Sequence, residues 1–145
     1  MGKKAKNDNS LSTVVGKTSR LLSNQISRNL SEYNVTAEQW SILVSLWQQN
    51  GQTQQSLANF SSKNKASITH LIDNLEKRKL VERKTGDKDR RNKVIFLTDE
   101  GEALQENLSK IVKKTIRQAT KDVDKKDIKV TKKVLKKMLE NLSHT

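Results

Sequence analysis

The sequence contains no cysteine and no proline, and two Trp, one Tyr and two Phe are its only aromatic residues. Without Cys there can be no disulfide, thiolate metal site, Cys nucleophile or thiol redox sensor, and the chain reads as intracellular. Histidine is almost as scarce. With only His70 and His144, no His-Glu-x-x-His pattern and no Gly-rich phosphate loop, metal and nucleophile constellations lack their ligands, so neither enzymatic activity nor a cofactor is expected. Long apolar runs are missing too. Nothing approaches the roughly 18 residues of a membrane span, and no signal-peptide core follows the Lys-rich start. Met1-Gly2 invites N-myristoylation, but Lys6 stands where Ser or Thr is wanted. The expected location is the cytoplasm, with no membrane partner.

Positive charge is what the chain has in abundance. Twenty-nine Lys and Arg oppose sixteen Asp and Glu across 145 residues, a formal +13, which favours a polyanionic partner, either nucleic acid or an anionic surface. Leu, Ile, Val and Phe together supply 36 residues, about a quarter of the chain and above the roughly 20% below which a highly charged chain stays disordered. A chain this lean buries a thin core, so self-association that pools apolar faces is expected. The charge does not locate a site by itself. Residues 1–35 carry +4, residues 36–97 +5 and residues 98–145 +4, so only patterning can.

Residues 1–10 are polar and aperiodic, the pattern of a mobile tail. Helical spacing starts at Leu11 and continues through Val14, Val15, Leu21, Leu22, Ile26 and Leu30. Thr36 followed by Gln39 is a capping-box pattern that opens a second helix over about 37–49, with Trp40, Leu43, Val44 and Trp47 on one face and Asn50-Gly51 as its stop. Thr53 can cap a short third helix carrying Leu57, Ala58 and Phe60. After Ser61-Ser62-Lys63-Asn64 a fourth helix runs over about 65–78 with Ile68, Leu71, Ile72 and Leu75 on one face. Two helices in tandem across so short a turn form a candidate helix-turn-helix. The period then changes: residues 80–85 and 93–97 are β-forming stretches around a charged loop, which predicts a hairpin. Thr98 caps a further helix to about residue 121, with Asp99, Glu100 and Glu102 in its first turn, and a last helix spans about 124–143.

Two places carry chemistry. The opening of the fourth helix, Lys63-Asn64-Lys65-Ala66-Ser67-Ile68-Thr69-His70, puts small and hydrogen-bonding side chains outward. That suits a recognition helix, whose first turns must approach base edges while free amides and dipole attract phosphate; an ordinary capped surface helix would look similar. The hairpin tip crowds Lys88, Arg90, Arg91 and Lys93 into a short loop, and Arg on a protruding tip can enter a narrow minor groove. A carboxylate such as Asp89, two residues from Arg91, can hold the guanidinium in one orientation.

The runs Leu75-Glu76-Lys77-Arg78-Lys79-Leu80-Val81-Glu82-Arg83, Asp87-Lys88-Asp89-Arg90-Arg91 and Leu97-Thr98-Asp99-Glu100-Gly101 resemble the signature of the MarR family of winged-helix transcriptional regulators. In element order the resemblance covers about residues 11–143. It implies a mainly α fold with a small β-hairpin wing: a winged helix-turn-helix lobe at 36–98, flanked by helical dimerisation regions at 11–35 and 99–145. It implies that Arg91 enters the minor groove and Asp89 positions it. Lys65, Ala66, Ser67, Thr69 and His70 fall where family members place major-groove readers, with Lys63 and Asn64 near phosphates. There are departures. The family usually has Gly where Lys79 stands, a helix-end position that favours φ > 0, so this turn is either strained by about 1 kcal/mol or shaped differently. Asp73 and Asn74 stand where similar proteins often place basic residues against phosphate.

The resemblance further implies a homodimer in which the first helix and the last two helices of each subunit interlock. Leu11, Val14, Val15, Leu22, Ile116, Ile128, Leu135, Met138, Leu139 and Leu142 are the candidate dimerisation residues. Family members often bind small aromatic or amphipathic effectors between these helices and the DNA-binding lobe, which makes Trp40 and Trp47 candidates for a pocket; as residues on a helix face they are most simply core. The expected function is sequence-specific binding of double-stranded DNA as a homodimeric repressor on a pseudo-palindromic operator. The rival is a nonspecific basic protein coating nucleic acid, which the evenly spread charge would also suit.

Overall fold

The computed structural model describes residues 9–61, 65–85 and 93–143. Its order is α1 (Leu11–Asn29), a 3₁₀ turn (Ser31–Tyr33), α2 (Ala37–Gln48), β1 (Gln52–Thr53), α3 (Gln54–Ser61), α4 (Lys65–Lys77), β2 (Val81–Thr85), β3 (Lys93–Leu97), α5 (Asp99–Ala103), α6 (Gln105–Ala119) and α7 (Lys125–Ser143). Hydroxyl caps set most helix starts. Ser10 Oγ accepts from the Thr13 N–H at 3.3 Å. Thr36 and Gln39 form the reciprocal box, each side chain accepting from the other's backbone N–H at 3.1 and 3.0 Å. Thr53 Oγ1 accepts from Ser56 N–H and Thr98 Oγ1 from Gly101 N–H, both at 3.1 Å. Each cap satisfies an N–H that the helix itself cannot.

Two departures from the sequence reading are local. The hairpin gains a third strand, because the sheet runs β1-β3-β2, all antiparallel, with Gln52 opposite Ile95 and Arg83 also opposite Ile95 from the other side. Asn50 anchors it by accepting the Leu97 N–H at 2.9 Å on Oδ1. The single helix expected from Thr98 to about 121 is instead two, α5 and α6, which meet at Leu104.

Leu30, Val35, Ile42, Leu43, Leu46, Leu57, Ile68, Ile72, Leu75, Val81, Ile95 and Leu108 are fully buried together, so the core sits among α2, α3, α4 and the sheet, closed by the end of α1 and the first half of α6. The long helices contribute little to it. α1 buries only Ile26 and α7 buries nothing. Leu11, Val14, Leu21, Ile116, Val130, Val134, Leu135, Leu139 and Leu142 are exposed. Among the other candidate dimerisation residues, Val15, Ile128 and Met138 are half-buried, and Leu22 packs against the core of its own chain.

The turn from α4 into β2 resolves the Lys79 question. Lys79 has φ 61°, its N–H donates to Glu76 O at 2.9 Å, and the Leu80 N–H donates to Leu75 O at 3.0 Å. This pair of bonds, with Leu80 buried beside Leu75, is a Schellman motif with Lys in the left-handed position that normally selects Gly. The backbone therefore keeps its left-handed shape and a Cβ is strained by it. The next turn depends on this one. Thr98 Oγ1 donates to Lys79 O at 2.6 Å and the Thr98 N–H to Leu80 O at 3.1 Å. A Cβ on Gly101 would lie 2.1 Å from that same Leu80 oxygen, so only glycine fits there.

Candidate nucleic-acid interface

α3 and α4 stand in tandem, and α4 presents two faces set by its sequence period. Ile68, Ile72 and Leu75 are sealed in the core. Ala66, Ser67 and His70 are exposed, while Thr69 is half-buried. Lys65 opens the helix. Lys63 and Asn64, expected at phosphates, lie outside the described residues, as do Lys88, Asp89, Arg90 and Arg91 of the wing tip. Lys93, at the root of the wing, begins β3 and is exposed.

Four side chains fasten α4. Arg83 on β2 donates from Nη2 to Asp73 at 2.6 Å, from Nη1 to Glu76 at 2.7 Å and from Nε to Gln54 Oε1 at 3.2 Å. Its side chain is only 12% exposed. Gln54 in turn donates from Nε2 to Thr69 Oγ1 at 3.0 Å. On the opposite side Gln39 Nε2 donates to Asn74 Oδ1 at 2.8 Å. At the helix end Arg78 donates to the Asn34 carbonyl and, at 2.6 Å, to the Tyr33 carbonyl, joining α4 to the corner between α1 and α2. A forked guanidinium shared by two carboxylates and an amide leaves α4 little freedom to roll on the sheet. Asp73 and Asn74, which looked misplaced for phosphate contact, thus serve Arg83 and Gln39.

Gln54, Arg78 and Arg83 were not singled out by sequence. Arg83 had one legible signal: it lies two residues after buried Val81, hence on the same face of β2. Gln54 and Arg78 had none, because their partners lie 15 to 45 residues away.

Trp40 and Trp47 line a cleft of about 780 Å³ between α2 and α6, with Val44, Val112 and Ile116, while Lys113, Arg117 and Lys132 of α7 stand at it. The two indoles differ. Trp47 Nε1 donates to Gly101 O at 3.0 Å; Trp40 Nε1 is buried without a hydrogen-bond partner. Among the described residues no group of three or more His, Asp and Glu could hold a metal ion. No helix there is long and apolar enough to cross a membrane.

A helix-turn-helix backed by a three-stranded antiparallel sheet that follows it with the β2–β3 pair defines a winged-helix protein. Residues 35–93 match the model of the MarR family. The organic hydroperoxide resistance transcriptional regulator of Bacillus subtilis (strain 168) is 28% identical over 99 residues, which span 68% of this chain and 67% of that protein. Among solved structures, reduced AbfR bound to DNA superposes with a TM-score of 0.80 at 26% identity, covering 99% of this chain and 98% of that one. The MepR–DNA complex of S. aureus gives 0.82 at 26% identity over 92% and 99%. The chain is thus similar to MarR-family DNA-binding transcriptional regulators, in sequence through its winged-helix lobe at residues 35–93 and in fold over nearly its whole length.

Proposed function

We propose that the protein is a sequence-specific regulator, acting as a repressor, that grips a pseudo-palindromic operator as a homodimer. The observation that carries this reading is α4: a helix with Ala66, Ser67 and His70 outward, fixed by charged and amide clasps on both flanks. A fixed helix of that kind presents its side chains to base edges in one orientation. In this reading the lobe at 36–98 holds DNA. Lys65, Ala66, Ser67, Thr69 and His70 meet the major groove, Lys63 and Asn64 the phosphates, and Lys88, Asp89, Arg90, Arg91 and Lys93 form the wing, with Arg91 in the minor groove. The regions 11–35 and 99–145 pair two copies. Exposed Leu135, Leu139 and Leu142 on a helix that buries nothing of its own support that role, since unburied apolar stripes mark interaction surfaces.

The cleft at Trp40 and Trp47 is the proposed effector site. Its indole walls suit an aromatic or amphipathic body, and an effector that favours a dimer with the wrong helix spacing releases DNA by shifting the population. With no Cys in the sequence, release does not run through thiol oxidation. Selection of duplexes from a random pool at stated salt tests the reading, followed by a search for compounds that release the winner. Enrichment of a twofold site with half-site centres roughly 10 bp apart is expected. A pool without a winner would instead fit a nonspecific coating protein.

A further inference from the structure

We infer that Gln54 and Arg83 are positioning residues that set base preference through Thr69 without touching DNA themselves; this deepens the proposed operator reading and rests on it. The chain of bonds has a direction fixed by chemistry. Arg83 Nε can only donate, so the Gln54 amide must turn its oxygen toward it, at 3.2 Å, and its Nε2 toward Thr69, at 3.0 Å. The Thr69 oxygen is thereby held as an acceptor, which pins its side chain on the α3 flank of α4. The other end of the chain is held as firmly, because the same guanidinium spans Asp73 and Glu76. Thr69, Asp73 and Glu76 are spaced by four and three and form one stripe along α4. A single network therefore controls both the orientation of a major-groove side chain and the roll of the helix that carries it. Arg83 is basic and close to the interface, yet its 12% exposure leaves it no reach to a phosphate.

Gln54→Glu is the discriminating change. A carboxylate keeps an oxygen for Arg83, so the fold is retained, but it offers Thr69 a second oxygen in place of an N–H. The Thr69 hydroxyl must then donate where it formerly accepted. Duplex selection with the wild type, Gln54→Glu, Thr69→Val and the double variant, at several salt concentrations, reads the consequence. Preference at one base pair per half-site should change about tenfold in Gln54→Glu, with an unchanged slope of log K against log salt and no further change when Thr69→Val is already present. Arg83→Lys, whose ammonium cannot fork across three acceptors, should shift the same base pair and serves if Gln54→Glu does not fold. A selective wild type whose preference both variants retain overturns the inference alone, as does a uniform loss of affinity on every duplex. A wild type with no preferred duplex overturns the proposed function and this inference with it.

Discussion

Replacing Lys79 with glycine should make the protein more stable. Lys79 sits at φ 61° in a Schellman turn whose two backbone bonds, at 2.9 and 3.0 Å, are both in place. Left-handed backbone costs an L-residue about 1–2 kcal/mol, and glycine's greater freedom in the unfolded chain returns about 0.5–1 kcal/mol of that. The net expectation is a gain of about 0.5–1 kcal/mol, or roughly 2–3 °C in Tm for a chain of this length. Calorimetry at one fixed protomer concentration is the assay, because dissociation of the proposed dimer would make Tm depend on concentration. Lys79→Ala is the control: it removes the charge and keeps the Cβ, so it should gain nothing from the turn. Equal gains from Gly and Ala would assign the effect to charge. A lower Tm for Lys79→Gly would refute the reasoning outright.

Gly101→Ala should destabilise by more than about 2 kcal/mol, because its Cβ meets backbone at 2.1 Å and cannot be relieved by a side-chain rotation; a near-normal urea midpoint would contradict the close approach. Trp47→Phe loses the bond to the Gly101 carbonyl and should cost about 1 kcal/mol beyond its packing loss. Trp40→Phe removes a donor that has no partner and should be the milder of the two in the same denaturation series. Leu139→Glu, on the exposed stripe of α7, should shift the sedimentation coefficient from dimer toward monomer while far-UV circular dichroism stays helical; an unshifted dimer would remove α7 from the interface.

Local chemistry was legible in the sequence where it depends on neighbours a few residues apart. The Thr36–Gln39 box, the Thr53 and Thr98 caps and the apolar spacing of Ile68, Ile72 and Leu75 all appear in the structure as the residue types predict. β1 escaped notice because two residues carry no period, and its place depends on the Asn50 side chain reaching Leu97 across the turn. The break at Leu104 has no Gly or Pro to announce it. In the candidate site the outward face of α4 was readable, whereas the network behind it was not. Gln54, Arg78 and Arg83 acquire roles only when α3, β2 and the α1–α2 corner are brought against α4. Asp73 shows the same limit from the other side: beside a stripe proposed to face DNA it reads as an intruder until Arg83 is found 2.6 Å away.

The central claim, that a fixed α4 reads DNA sequence, is tested most directly by titrating wild-type protein against the enriched duplex and against a scrambled duplex of equal length and composition at 0.15 M salt. Specific recognition predicts binding at least about 10³-fold tighter to the enriched duplex. Equal affinity for the two would contradict it and leave only charge-driven coating of nucleic acid.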